Sequence, residues 1–228
     1  LLVAGYFAAN LDLPYISNQI AKIVLKQHYD KDEVLAVWLP CFMPTRASAL
    51  WNAVRYDKDI EYKTWFDSKA EIHEHYLLIK KLYSAFSGKT KTFSPCVFPW
   101  YEATIKKSDF AEILCTLAAL SGDNEKIDEA CDLIKECNSD QRQFYFSALL
   151  RNPKTPIQRK TVLEGLVDRE TYTRKAAYDI VSKITLSADE YRSIEDYLRF
   201  KGADIRKYVI ELLLKQSDVE LTACINRL

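Results

Sequence analysis

The carboxyl-terminal half of the chain carries a helical pattern of apolar residues that repeats. Arg142, Arg174 and Arg206 lie 32 residues apart, and each is followed by apolar positions at the spacing of one helix face. The same shift brings three sets of apolar positions into register: Tyr145, Ala177 and Val209; Phe146, Tyr178 and Ile210; Leu149, Val181 and Leu213. A unit repeated at a fixed period buries its apolar face by stacking on its neighbours, so this pattern predicts an array of helical hairpins.

The helices between the arginine-bearing segments have an apolar stripe of their own. Its positions keep the i, i+4 spacing of a helix and the same register: Ala130, Val162 and Ile194; Ile134, Leu166 and Leu198. Turn residues such as Gly122 and Gly202 separate the segments, and a weaker earlier copy has Phe110 in place of the arginine. The sequence therefore predicts an all-α fold in which residues 107–228 form an α-solenoid.

Residues 1–106 show helical patterns of uneven length that share no register with these repeats. The predicted helices are Leu13–His28, Asp32–Leu39, Arg46–Tyr56 and Lys69–Phe86. The stretch Ser87–Ala103 contains Pro95 and Pro99, and it is predicted to be a loop followed by a short helix. We therefore expect an irregular helical amino-terminal layer over residues 1–106, with its boundary after this loop.

The composition indicates a folded protein without an excess of either charge. Hydrophobic residues make up 48% of the chain, and 32 basic residues balance 32 acidic ones. This balance disfavours a nucleic-acid partner, because phosphate binding depends on surplus lysine and arginine. The opening apolar stretch ends at Asn10, too short to span a bilayer, so no membrane partner is predicted. The chain lacks an initial methionine and ends within a helical pattern, and we expect it to be a segment of a longer protein.

The six cysteines show no paired CxxC spacing, and most of them fall within apolar helical patterns. Cysteines of this kind are typical of reduced core residues in an intracellular protein. We therefore expect a cytoplasmic location and no disulfide bonds.

The arginine-bearing segments resemble the second helix of a HEAT repeat. Asp204 stands two residues before Arg206 ahead of an apolar stripe, and Asp140 and Arg142 repeat the same pair. In HEAT repeats an aspartate and an arginine near the turn link neighbouring units. The resemblance implies a ladder of ion pairs made by Asp140, Arg142, Arg174, Asp204 and Arg206.

The middle copy departs from this pattern, because Tyr172 stands where the aspartate is expected and Glu170 is the available substitute. Arg174 lies near a predicted helix start, where a cation works against the macrodipole. Since a guanidinium offers several donors to a carboxylate and to free carbonyls, we interpret Arg174 as a link between repeats rather than a ligand contact.

The last segment also resembles a second, narrower group of proteins. Tyr197–Leu228 is similar to a leucine-rich segment of large, mainly bacterial proteins classed as a domain of unknown function, some of which resemble the molybdate metabolism regulator. This resemblance implies no reaction.

The sequence motifs that could indicate catalysis, phosphate binding or metal binding are incomplete. Gly88 to Thr90 reads GKT, but a phosphate-binding loop requires glycine where Tyr83 stands. His73 and His75 are two residues apart, which turns them to different sides of a helix and prevents shared metal binding. We therefore predict no catalytic, cofactor-binding or metal-binding residue and no cofactor, and we expect a protein that is not an enzyme.

Polar residues on the second helices form aligned rows of mixed charge. Gln143, Lys175 and Lys207 align, and Asp179 and Glu211 follow one turn later, so Lys175 with Asp179 and Lys207 with Glu211 are predicted to pair. The rows are either a solvated face or the partner-binding groove of a solenoid. Two functions remain open: a protein-interaction scaffold, or a nucleic-acid-binding protein resembling alkylpurine DNA glycosylases with HEAT-like folds. The mixed signs favour the first.

Overall fold

The computed structural model describes residues 66–93 and 103–227, together with positions 19, 20, 23 and 54. The predicted helices Leu13–His28, Asp32–Leu39 and Arg46–Tyr56 lie outside the described residues except at those four positions. The chain divides into two compact units, Leu1–Cys137 and Asn138–Leu228. The predicted boundary after residue 106 falls where a strand passes directly into a helix, and it stays a prediction.

In the first unit, the described elements are one helix, two short strands and then two further helices. They are α1 (Lys69–Ala85), β1 (Thr90–Phe93), β2 (Ala103–Lys106), α2 (Lys107–Ser121) and α3 (Asn124–Leu133), which a 3₁₀ turn (Ile134–Glu136) extends. α1 and α3 each have a side-chain N-cap. The side chains of Ser68 and Asp123 accept hydrogen bonds from backbone N–H groups of the first turn. α2 ends at Gly122, whose φ of 63° is the left-handed conformation that glycine adopts without a Cβ clash.

The two strands correct the first part of the prediction for Ser87–Ala103, because Thr90–Phe93, expected to belong to a loop, form β1. β1 and β2 pair antiparallel with Thr90 opposite Lys106, and the hydroxyl oxygens of Thr92 and Thr104 lie 3.1 Å apart. The short helix predicted after the loop falls on residues 94–102, which lie outside the described residues. The sequence interpretation followed the prolines, whereas pairing between β-branched residues on the two flanks decides the structure.

The core of the first unit is formed around α2. Every residue from Phe110 to Ser121 is buried, as expected for a helix that is apolar around most of its circumference. α1 and α3 both pack against α2. The phenol of Tyr76 on α1 donates to Glu129 on α3 at 2.8 Å, and Lys80 donates to the same carboxylate at 2.8 Å.

The second unit consists of helices in its described residues. They are α4 (Ser139–Leu150), α5 (Pro156–Gly165), α6 (Thr171–Val181), α7 (Ala188–Glu195), α8 (Ala203–Leu213) and α9 (Asp218–Ile225), with a 3₁₀ turn (Asp196–Arg199) after α7. α6 packs against α4, α5 and α8, and α7 packs against α8. None of the described helices in either unit is long and apolar enough to cross a membrane.

Most of the predicted apolar rows are buried, but the row of Phe146, Tyr178 and Ile210 is not: Phe146 is buried, Tyr178 is half-buried and Ile210 is 48% exposed. The deepest positions of the arginine-bearing helices, Tyr145, Ala177 and Val209, are all buried. The row of the intervening helices, Ala130, Val162 and Ile194, is fully buried as well. The helical stripe read from the sequence therefore marks the sides of the helices that pack inward.

The described cysteines are free thiols in the core, as predicted. They are Cys115, Cys131, Cys137 and Cys224, and all four are buried. The sulfur atoms of Cys115 and Cys137 lie 3.9 Å apart, and burial raises the pKa of the Cys115 thiol well above its ordinary value. A buried, protonated thiol reacts slowly, because the thiolate is the nucleophile.

We expect a thiol titration with Ellman's reagent, in guanidinium and without reductant, to count all six cysteines of the chain. In native buffer the four buried thiols should react much more slowly, because both access and ionisation are suppressed. A count below six that rises to six after treatment with dithiothreitol would contradict the expectation by revealing a disulfide.

Candidate partner-binding surface

Arg174 on α6 connects its own helix to α8. Its Nε donates to Oδ2 of Asp204 at 2.7 Å, and its Nη2 donates to Thr171 Oγ1 at 2.9 Å. Its Nη1 donates to the backbone carbonyls of Asp168 at 2.7 Å and Arg169 at 3.0 Å. The side chain is 12% exposed. The unfavourable position near the helix start is thus compensated by a carboxylate and two carbonyls that surround the guanidinium.

Asp204 is suited to this contact by its place in the first turn of α8. A carboxylate is stabilised there by the positive end of the helix dipole. Burial raises the pKa of Asp204, but the hydrogen bond and charge of Arg174 outweigh this effect and hold the pKa below its ordinary value. The carboxylate is therefore ionised at neutral pH.

Arg142 makes a related contact one repeat earlier, with a different partner from the one predicted. Its Nη1 lies 3.3 Å from Oδ1 of Asp168, in the turn before α6. Tyr172, at the position expected for an aspartate, is 71% exposed, and Asp168 rather than Glu170 supplies the substitute carboxylate. The side chain of Asp140, the other predicted member, lies outside the described residues.

Arg206, the third arginine of the series, makes only part of these contacts. Its Nη2 donates to the backbone carbonyl of Lys201 at 3.2 Å, five residues earlier. Arg174 makes the equivalent bond to Arg169, also five residues earlier. The Arg206 side chain is exposed, and within residues 103–227 no carboxylate pairs with it.

A second set of ion pairs joins the intervening helices, and sequence reasoning missed it. Arg159 on α5 forms two hydrogen bonds to the Glu190 carboxylate on α7, at 2.6 and 2.7 Å. Arg227, after α9, contacts Glu195 on α7 in the same bidentate way, at 2.6 and 3.0 Å. The hydrogen bonds from the arginines lower the pKa of both glutamates. Arg159 aligns with Tyr191 under the repeat shift, so no recurrence marks these pairs in the sequence.

An open cleft of about 770 Å³ lies beside this second set, between α5 and α7. Leu163 and Leu186 provide apolar lining, while Lys160 and Asp189 bring opposite charges. Burial raises the pKa of Tyr197 in the lining. Among the described residues, no group of three or more His, Cys, Asp or Glu side chains is placed to hold a metal ion.

The predicted mixed-charge face, which consists of Gln143, Lys175, Asp179, Lys207 and Glu211, spans α4, α6 and α8. Lys175 and Asp179 form an ion pair along α6, as predicted. Glu211 accepts a hydrogen bond from the Tyr178 hydroxyl at 2.6 Å, and the described residues show no Lys207–Glu211 ion pair. Lys207 is exposed on α8, and Gln143 is half-buried on α4.

Two tyrosine rings, one on α6 and one on α8, stack against each other beside these charged residues. The rings of Tyr178 and Tyr208 stack with centroids 4.6 Å apart, and Lys175 Nζ lies 5.8 Å from the centre of the Tyr178 ring. The hydrogen bond to Glu211 raises the pKa of the Tyr178 phenol, so the phenol stays protonated and donates. The face therefore combines both charge signs with partly exposed tyrosines.

Comparison with known proteins identifies a matching family. Residues 1–228 match a family described as "Family of unknown function (DUF5724)". No curated protein and no solved structure matches the chain.

Proposed function

We propose that this chain, which belongs to the DUF5724 family of unknown function, is a HEAT-like α-solenoid over residues 107–228 that acts as a non-enzymatic protein-interaction scaffold. The observation that carries the proposal is the contact between Arg174 and Asp204, which links two helices of the 32-residue series as HEAT repeats are linked. Stacked repeats present long surfaces to partners. The likeness of Tyr197–Leu228 to a segment of large, mainly bacterial proteins, some of which resemble the molybdate metabolism regulator, supports the proposal that the chain is a segment of a larger protein. The buried free thiols support a cytoplasmic location.

The mixed-charge face is the proposed partner-binding surface. Tyrosines are enriched in protein interfaces, where a large ring contributes contact area and a hydroxyl contributes a hydrogen bond. Tyr178 and Tyr208 supply such rings between Lys175, Asp179 and Glu211. A partner with alternating charges would match this surface, because complementary potentials favour one docking register.

The alternative is a nucleic-acid-binding protein resembling alkylpurine DNA glycosylases. Two features of the described residues disfavour it. The face carries two lysines and two carboxylates, and Lys175 is already paired with Asp179. Phosphate binding requires unpaired positive charge along a groove.

We expect quantitative mass spectrometry of proteins captured from the native host by the immobilised chain to identify a partner that depends on this face. The double variant Lys175→Glu, Lys207→Glu should reduce capture at least about tenfold, the effect of roughly 1.4 kcal/mol in binding. The matched control is Lys160→Glu, Arg192→Glu, which changes the net charge equally on exposed positions of α5 and α7.

An equal loss of capture in both double variants would contradict partner binding by the mixed-charge face, because the change in net charge alone would then explain the result. Titration with duplex DNA at low and moderate salt tests the alternative. DNA binding that weakens steeply with salt and disappears in the Lys175→Glu, Lys207→Glu variant would contradict the scaffold proposal and support the nucleic-acid-binding function.

A further inference from the structure

The cleft between α5 and α7 differs in charge from one end to the other. At its amino end, Arg159 and Glu190 neutralise each other through two hydrogen bonds, and Arg159 Nη2 also donates to the Thr185 carbonyl at 2.8 Å. At its carboxyl end, Glu164 lies on one wall and Tyr197 on the other. Both walls belong to described helices that α8 and α9 follow along the chain, so neither wall is the last helix of the unit.

The carboxyl end of the cleft has a negative potential. Glu164 stands in the last turn of α5, where the helix dipole adds partial negative charge. Burial raises the pKa of the Tyr197 phenol, and the charges of Glu164 and Asp196 raise it further, so both carboxylates act on this ring. Lys160 Nζ lies 3.8 Å from Oε1 of Glu164, but the lysine side chain is 78% exposed, and such surface pairs contribute little. A cation bound in the cleft is therefore most stable at this end.

Apolar side chains line the cleft beside this negative end. Leu163 and Leu186 are buried in the lining, and the half-buried Tyr197 ring contacts Phe200 edge to face, with centroids 6.1 Å apart. The face of a tyrosine ring attracts a cation within about 6 Å of its centre. The cleft volume of about 770 Å³ lies within the roughly 300–1,000 Å³ that is typical of small-ligand sites. The lining therefore combines a carboxylate, an aromatic face and an apolar surface.

We propose that the cleft between α5 and α7 binds an organic cation, which is a guanidinium or primary ammonium group carried on an apolar stem. The charged group lies against Glu164 and the Tyr197 ring, and the stem covers Leu163 and Leu186. A free small molecule or an arginine or lysine side chain of a peptide supplies such a group. The site contains no residue of the mixed-charge face, so either surface can fail without the other.

The test titrates the whole chain with hexylguanidinium and with its neutral isostere hexylurea. Leucine methyl groups labelled with carbon-13 report where each probe binds in NMR spectra. Hexylguanidinium should shift the methyl signals of Leu163 and Leu186 saturably, and hexylurea should bind at least about fivefold more weakly, because it lacks the charge. Equal binding of the two probes, or binding that leaves both leucine signals unmoved, would overturn the proposal.

Variants of the lining distinguish the proposed contacts from a general effect of charge. Glu164→Gln and Tyr197→Leu should each weaken hexylguanidinium binding at least about threefold. Lys160→Ala should strengthen binding about twofold, because it removes the ammonium group that competes for Glu164, and a gain in affinity cannot result from a folding defect. The matched control is Asp132→Asn, which removes an exposed carboxylate of α3, outside both the cleft and the mixed-charge face, and should leave binding unchanged. Equal effects of Glu164→Gln and Asp132→Asn would contradict the site.

A tripeptide of sequence leucine, arginine, leucine, acetylated and amidated at its ends, assigns the source of the cation. Binding at least about tenfold tighter than that of hexylguanidinium, with the same dependence on Glu164, supports an arginine side chain of a peptide as the occupant. Weaker or equal binding with that dependence supports a free small molecule. Binding of both probes that does not depend on Glu164 would overturn the proposal.

Discussion

Replacing Arg174 by alanine should lower the free energy of unfolding of the second unit by about 1–3 kcal/mol, the cost of leaving shielded hydrogen-bonding groups without partners. The change removes the donors to Asp204, Asp168 and Arg169 at once. Arg174→Lys should restore little, because an ammonium group cannot reproduce the planar arrangement of guanidinium donors.

The matched control is Lys175→Ala, because Lys175 is the adjacent, exposed residue with a surface ion pair. It should change the free energy of unfolding by less than about 0.5 kcal/mol. Urea unfolding followed by circular dichroism measures the total effect, and hydrogen exchange in α6 and α8 locates it, since two compact units need not unfold together. If Arg174→Ala unfolds and exchanges like the parent, the link between repeats contributes nothing and the arginine is available to a partner.

Gly165→Val should destabilise the second unit by about 2–3 kcal/mol through overpacking. Gly165 ends α5, where a Cβ atom would lie 2.4 Å from Phe146 Cζ and 2.9 Å from the Ala177 Cβ. The two neighbours belong to α4 and α6 and are themselves buried. Neither can move without opening the core, so three helices meet here only because the side chain is a hydrogen atom.

The control for a β-branched residue in this helix is Lys160→Val, at an exposed position of α5. Lys160→Val should lower the free energy of unfolding by no more than about 0.7 kcal/mol, which is the difference in helix propensity alone. Combining Gly165→Val with Phe146→Leu should recover part of the loss, because the smaller side chain relieves the closest contact. Urea unfolding of the three variants measures these differences. Equal effects of valine at positions 160 and 165 would show that close packing at Gly165 is unimportant.

Local sequence patterns were sufficient to predict α1 and most of the buried helix sides among the described residues. The bounds of α1 were predicted to within one residue, and the rows through Tyr145 and Ala130 are buried as the pattern indicated. Both features depend on the 3.6-residue helix period, which the spacing of apolar residues along the sequence shows directly. The pairing of β1 with β2 was missed, because it depends on contacts across the intervening residues 94–102.

The partners in the ion pairs between helices could not all be predicted from the sequence. The motif pointed to Arg174 and Asp204, yet Asp168 as the partner of Arg142, and the Arg159–Glu190 contact, follow from no recurring spacing. An ion pair requires charged atoms within about 4 Å, and small differences in how helices cross decide which side chains meet. The sequence by itself determined the helical pattern, its 32-residue recurrence and its apolar positions. Only the tertiary structure decided which charges pair, because pairing depends on what the neighbouring helix places opposite each side chain.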